Sequence, residues 1–312
     1  MNSESTVPAT TRPLWRVLLL ALLGLLLLAG AAMGWAIGTG SGNAWLLARM
    51  PMVTATQPAG RVFGGAFSAQ RVEVRAGSRL ITLDKLAWRD ARWAWRPHDG
   101  AWFGLVIDGA SVERVQIGAA TSASAAPATL PKTLRLPFAL TIGELRIGEL
   151  QVEATSPLRD VAARVELGHD AGREHRVPSL TLRADRARAS GSAGVAADPP
   201  FALQAQVQAT SIDGAARPWQ ASASATGPLA AIAVTAQLTS PQAAGAQLDA
   251  QATVSPFAAW PLSQLQASTR ALDLSALFAD APQTQIAGEM RIDTQGLDKP
   301  IAANVKLTNA QA

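Results

Sequence analysis

The chain has 312 residues, of which 48% are hydrophobic and only 16% charged; its formal net charge of +4 comes from Lys and Arg scattered among Asp and Glu. The absence of cysteine excludes disulfides, thiolate metal sites and a thiol nucleophile, and no basic run offers the footprint that a nucleic acid needs. Length alone suggests about two domains at roughly 150 residues each, but small apolar residues, alanine above all, dominate after the first third of the chain. Such residues cover area without filling depth, which points to a thin sheet-like layer and not a deep core.

Residues 1–16 carry Arg12, Trp15 and Arg16 ahead of an apolar run, VLLLALLGLLLLAGAAMGWAI, from Val17 to Ile37. Those 21 residues hold no charge, and at about 1.5 Å per residue a helix of that length crosses a hydrocarbon core of about 30 Å. Arg12 and Arg16 precede the run and the next basic residue is Arg49, so the charge asymmetry puts the N-terminus in the cytoplasm and the bulk of the chain on the far side. Trp15 and Trp35 fall near the two interfaces. Ala29-Gly30-Ala31 satisfies a small-x-small cleavage site; the run continuing through Met33, Trp35 and Ile37 favours an uncleaved anchor, and both readings export the chain beyond about residue 40.

Residues 38–60 read as a hinge and an interfacial helix. Thr39 to Asn43 is Gly/Ser-rich, and Ala44 to Met50 predicts a short helix stopped by Pro51. Gly38-Thr39-Gly40-Ser41-Gly42 comes after a membrane segment instead of a strand and lacks a phosphate-binding Lys, so it is no nucleotide site.

Residues 61–120 form a first β block. Val72 and Val74, Ile81 and Leu83, Leu86 and Trp88, Leu105 and Ile107, then Val112, Val115 and Ile117 alternate with polar residues, with turns or bulges expected at Gly77-Ser78 and Asp84-Lys85. Trp88, Trp93, Trp95 and Trp102 are interleaved with Arg89, Arg92 and Arg96, a pattern that serves stacking on bases or sugars. The parity shared by Trp93 and Trp95 favours packing or interface anchoring instead. Residues 121–129, TSASAAPAT, predict an exposed loop.

Residues 130–312 repeat the alternation. Leu134, Leu136, Phe138, Leu140 and Ile142 lie two apart; the phase then shifts at Gly143-Glu144 and Gly148-Glu149, where Leu145 and Ile147 and then Leu150 and Val152 take over, so a bulge or tight turn is expected at each. From residue 200 onward Leu203/Ala205/Val207, Ile232/Val234/Ala236/Leu238, Leu248/Ala250/Ala252/Val254, Met290/Ile292 and Ile301/Ala303/Val305/Leu307 predict an antiparallel meander. Pro256 and Pro261 bracket an irregular connection, and Leu272 to Phe278 predicts a short helix. The last strand carries no cap, and an uncovered edge is a liability; the expectation is an N-terminal piece of a longer protein.

Catalytic signals are weak. His98, His169 and His175 match no metal-ligand spacing, no G-x-S-x-G elbow aims a serine, and no cofactor motif appears. An enzyme is the least supported class.

RVFGGAFSAQRVEV (Arg61 to Val74), the W-x-P-x-x-G-x-W turn from Trp95 to Trp102 and LPKTLRLPFALTIGELRIGELQV (Leu130 to Val152), in this order behind an anchor and a Gly/Ser hinge, resemble the N-terminal region of the TamB family. These are inner-membrane subunits of the translocation and assembly module, related to AsmA-like proteins. The resemblance is clearest over residues 14–155. It implies a mainly β chain: a transmembrane helix followed by an elongated, curved antiparallel β-sheet groove, taco-like, incomplete at its C-terminus. It also implies a single-pass protein of the bacterial inner membrane with its bulk in the periplasm, engaged in phospholipid transport and outer-membrane biogenesis. Candidate lipid-lining residues are Leu134, Leu136, Phe138, Leu140, Ile142, Leu145, Ile147, Leu150, Val152, Ile232, Val234 and Leu238, with Arg12, Trp15, Arg16 and Trp35 at the membrane interface. The family's contact with the outer-membrane barrel protein TamA uses a C-terminal region with no counterpart here. Two other readings compete: an assembly factor offering a β edge to outer-membrane clients, and an adhesin or passenger released near Ala32.

Overall fold

The computed structural model describes residues 39, 52–62, 64–76, 79–95, 103–118, 129–136, 138–153, 155–212, 218–240, 245–258, 260–277, 281–294 and 301–310. The apolar run 17–37, Arg12, Trp15, Arg16 and Trp35, the predicted helix 44–50, Arg96, His98 and Trp102, and loop residues 121–128 lie outside these.

The described chain is mainly β. It runs β1 (Val53–Thr56), β2 (Ala59–Gly60), β3 (Gly65–Ala76), β4 (Arg79–Trp95), β5 (Phe103–Ile117), β6 (Ala139–Val152), β7 (Leu158–Gly168), α1 (His169–Gly172), β8 (Glu174–Arg183), β9 (Ala187–Ala196) and β10 (Ala202–Ser211). It continues through β11 (Gln220–Pro228), β12 (Ile232–Thr239), β13 (Gln247–Val254), β14 (Leu262–Leu272), α2 (Leu274–Leu277), β15 (Ile286–Asp293) and β16 (Ala302–Asn309). All sixteen strands join one open sheet in sequence order from β1 and β3 to β16, with β2 added beside β3. Each pair is antiparallel except β5 and β6, which run parallel. The sheet is therefore mixed and not purely antiparallel: a parallel pair needs a long return connection, and the stretch from Gly118 to Phe138 supplies it.

Both phase shifts predicted in β6 are bulges inside one continuous strand, and its neighbours share them. The β5–β6 ladder skips Asp108 and Gly143 together, then Glu113 and Gly148 together. On β4 the breaks fall at Lys85 (φ 51) and Asp90 (φ 56), and on β7 at Asp160 (φ 50). Glycine is required on β6 because the chains approach closely: a Cβ at Gly143 would sit 2.9 Å from Asp108 O, and one at Gly148 2.7 Å from Glu113 O. A bulge matched across neighbouring strands adds twist without turning the apolar residues over. Ile107 and Ala110 thus stay on one face, opposite Ile142 and Leu145.

That face carries the core of the first block. Phe67, Ala69 and Val72 are buried, with Trp88 stacked on Phe67 at 4.4 Å between ring centroids. Ala91, Leu105, Ile107 and Ala110 form a second cluster with Leu140, Ile142 and Leu145. A third, on β11–β14 and α2, centres on Trp219, Leu238 and Leu272. Ser255–Pro261 is the irregular connection expected between the two prolines, and α2 falls within the predicted Leu272–Phe278 helix.

The first half of the alternation at Leu134–Ile142 is not a strand. β6 begins at Ala139; Leu134 and Leu136 belong to an extended strap outside the sheet, and Phe138 sits at a bend before β6. The strap's bonds run to Ala197, Asp198 and His175 and not to a neighbouring ladder.

Candidate functional site

Residues directly opposite in a ladder share a face, so one row can be traced across the sheet. From β3 to β16 it reads Phe67, Trp88, Ala110, Leu145, Ala163, Leu180, Gly191, Val207, Ala223, Ala236, Ala250, Ala267, Met290 and Val305. None carries a charge, and the Trp88 indole N–H is the row's one strong side-chain hydrogen-bonding group. The faces separate cleanly where the strands are regular: along β12, Ile232, Val234, Ala236 and Leu238 are buried or half-buried while Ala233, Thr235, Gln237 and Thr239 are exposed.

The row changes character along its length. At β4–β6 large side chains pack against one another. Over β9–β14 it is nearly all alanine and glycine, and the adjacent row, Ala193, Ala205, Ala225, Val234, Ala252 and Leu265, is also mostly small. Bulkier residues flank this band: Val195, Leu203, Ile232 and Val254 on one side, Leu238, Leu248, Trp219 and Leu272 on the other. Val207 on its floor is 40% exposed, so the band is open to whatever lies above it.

Each long margin has its own cover. On the Leu238 side, α2 is held by polar bonds: the Trp219 Nε1–H donates to Ala276 O at 3.1 Å, and buried Asp273 accepts from Ser275 N, Ser275 Oγ and Thr284 N at 2.8–3.1 Å. A cavity of about 190 Å³ opens there between Trp219, Leu272, Asp273 and Leu277. On the Val195 side, the strap lies against the ends of β7–β9.

The opposite face is mainly polar, with Val106 and scattered alanines such as Ala94 and Ala233 among its polar groups. In the first block it carries cross-strand ion pairs, including Arg71–Asp84 at 2.8 Å, Arg92–Asp108 at 2.7 Å and Arg114–Glu149 at 3.3 Å. The Asp84 and Asp108 carboxylates, bonded to Arg71 and Arg92, push those guanidinium groups further above their ordinary range. From β9 to β14 the equivalent row is Ser192, Gln206, Ser224, Thr235, Gln251 and Gln266.

Of the lining residues expected from sequence, Leu140, Ile142, Leu145, Ile147, Leu150 and Val152 stand on the apolar face of β6, and Ile232, Val234 and Leu238 on the same face of β12. Leu134, Leu136 and Phe138 lie ahead of β6, the first two half-buried in the strap. Sequence reasoning missed the small residues between the bulky rows, Ala193, Ala205, Ala223 and Ala252 among them; their alternation was visible, but their alignment into a band needs the pairing register. The tryptophans divide: Trp88 is packed, whereas Trp93 and Trp95 are 43% and 67% exposed, with Trp93 edge-on to Phe103 at 5.4 Å. His169 opens α1 and His175 lies on β8, and among the described residues no cluster of His, Asp or Glu is arranged to hold a metal.

No protein-family model, no curated protein and no solved structure matches the chain.

Proposed function

We propose that this chain is a membrane-anchored, non-enzymatic β-groove protein of the bacterial inner membrane, whose periplasmic sheet carries phospholipid acyl chains along its apolar face. The observation that carries the reading is the row from Phe67 to Val305, apolar on every strand it crosses. Burying an acyl chain on such a surface stabilises it by about 0.8 kcal/mol per CH₂, while the backbone groups beneath stay paired in the ladder and make no demand on the lipid. The band over β9–β14 is the natural floor because its side chains are too short to fill it themselves.

The apolar run Val17–Ile37 supplies the anchor, and the motifs shared with the TamB family support a role in outer-membrane biogenesis. At about 4.8 Å per strand, β3 to β16 span roughly 60 Å, about two hydrocarbon-core thicknesses of about 30 Å. This length suits part of a conduit. The competing reading, strand addition to an outer-membrane client, draws on β16, all of whose residues are exposed.

Native mass spectrometry of the full chain tests the choice. Phospholipid should co-purify with the wild type and with Gln237→Glu, which changes the polar face, and be lost from Ala236→Glu, one residue away on the apolar face. A wild type free of phospholipid, or equal lipid on both variants, sinks the conduit reading; crosslinks to unfolded barrel clients that Ala236→Glu leaves unchanged would establish strand addition.

A further inference from the structure

The apolar face of β4 and β5 runs on past its own core. Ala91 and Leu105 are 3% and 8% exposed, but further along the same face Trp93 and Trp95 are 43% and 67% exposed and Phe103 is 42% exposed. Trp93 stands opposite Leu105 and Trp95 opposite Phe103, so the three rings share the side of the sheet that carries Leu105. They are uncovered because the two strands outrun their neighbours. The β3 ladder starts opposite Ala91 and the β6 ladder opposite Gly104. Beyond Ala91, therefore, β4 has no ladder partner on the β3 side, and Phe103 lies ahead of the β6 pairing.

The chemistry of this tip is selective. On its apolar face, from Ala91 to Trp95 and from Phe103 to Ile107, the side chains carry no charge, amide or hydroxyl, and the two indole N–H groups are the only polar ones. A sugar or base stacked on the rings would find no side chain on that face to accept and donate along its edges. The charges stand on the other face, where Arg92 meets Asp108 at 2.7 Å. Rings that are apolar in body with an N–H at one edge suit the boundary of a bilayer, where one part meets acyl chains and the other meets headgroups and water.

A bilayer is also within reach. Residues 38–51 join the apolar run Val17–Ile37 to the start of the sheet and span at most about 50 Å when fully extended. Met52 O accepts from Arg75 N at 2.9 Å, so the chain enters beside the Arg79 end of β4. From there to Trp95, β4 has 17 residues, about 55 Å of strand. The entry end is different in kind: Arg79 is paired with Glu153 at 3.1 Å, and the large apolar side chains exposed there, Met52 and Leu80, are not aromatic.

We propose that the tip of β4 and β5 is a second membrane contact, with Trp93, Trp95 and Phe103 lodged in the interfacial layer of the bilayer that holds Val17–Ile37. The chain tethers one end of β4 and the rings pin the other, which fixes how the first block lies on the membrane. The proposal rests on the reading of Val17–Ile37 as an anchor and does not depend on lipid in the groove.

The chain has no cysteine, so Ala94→Cys, Arg79→Cys and Gln206→Cys each carry one environment-sensitive fluorophore at a known place. Ala94 lies between the two tryptophans on the opposite face, and Gln206 is exposed on β10. Each labelled full chain is reconstituted into vesicles of phosphatidylethanolamine and phosphatidylglycerol, recovered by flotation, and quenched with lipids bearing a nitroxide on the acyl chain near the headgroup. All three should float, with quenching strongest at Ala94→Cys. Combining Trp93→Ser, Trp95→Ser and Phe103→Ser should reduce that quenching to the level of Gln206→Cys while flotation is kept. Floating protein in which Ala94→Cys is quenched no more than Gln206→Cys, or less than Arg79→Cys, overturns the proposal. Quenching that survives removal of the rings overturns it as well, and so does a blue-shifted label that the lipid fails to quench, which would show the tip covered by protein. If the chain without the rings does not fold, the three labels on the otherwise wild-type chain still decide. Failure to float removes the anchor reading instead, a result distinct from a floating chain whose tip stays unquenched.

Discussion

On β4–β6 the central apolar row is Trp88, Ala110 and Leu145, with Phe67 beside it on β3; on β9–β14 the same row is Gly191, Val207, Ala223, Ala236, Ala250 and Ala267. The polar faces differ as sharply. The first block crosses its strands with alternating charge, Arg71, Asp84, Arg114, Glu149 and Arg159, whereas the row from Ser192 to Gln266 over β9–β14 is all Ser, Gln and Thr. Large side chains interlock and bulges align, so the first block largely covers its own apolar surface and its register is specified by charge and by kinks. The second has a nearly uniform repeat in which a slip by two residues replaces Ala with Ala, and its register depends on its turns. The lesson is a division of labour: one block stabilises the sheet, and the other leaves room above it.

The largest effect that could break this division is in the core of the first block. Phe67 is 4% exposed and stacked on Trp88, so Phe67→Ala should cost about 3–5 kcal/mol in denaturant unfolding. Val207→Ala, on the open band, should cost less than about 1 kcal/mol because little burial is lost. Equal losses would mean that both blocks are packed alike. A smaller effect belongs to the matched bulges. Gly148→Ala sets a Cβ 2.7 Å from the Glu113 backbone oxygen, and since no flexible side chain can move aside, about 1–3 kcal/mol is expected. The accompanying loss of protection should appear in β5 and β6 and spare β10–β13.

Much of the sheet was legible because alternation is a strong signal wherever one face is apolar. The phase shifts at Gly143-Glu144 and Gly148-Glu149 were readable for the same reason, as were the short helix after Leu272 and the break between Pro256 and Pro261. Three features were not. Parallel and antiparallel strands alternate identically, so β5 and β6 gave no sign of their direction. Leu134 and Leu136 alternate with exposed Thr133 and Arg135 because any extended segment has a period near two, paired or not; the strap imitates a strand until its hydrogen bonds are seen. His175 carries no motif, since its place between Gly168 N and Leu134 O is set by segments about forty residues apart in sequence.

The smallest effect sharpens the contrast between the polar faces. Asp84 lies opposite Arg71 on β3 and opposite Arg114 on β5, and its side chain is 20% exposed against 52% for Arg71. Exposed ion pairs contribute about 0–1 kcal/mol, so Asp84→Asn should lower stability by no more than that at low salt, and by less near 1 M salt, where the screening length falls to about 3 Å. If the charge row specifies register, reversal must cost more than removal, because Asp84→Arg lines up three cations across adjacent strands and like charges directly opposite one another destabilise a pair. Gln206→Arg makes the matching change between Ser192 and Ser224, has no charge directly opposite it on either neighbouring strand, and should stay within about 0.5 kcal/mol of the wild type. Unfolding midpoints of the three variants at low and high salt measure this. A reversal at Asp84 no worse than Gln206→Arg would strip the alternating row of its role in register and leave the bulges alone to specify the first block.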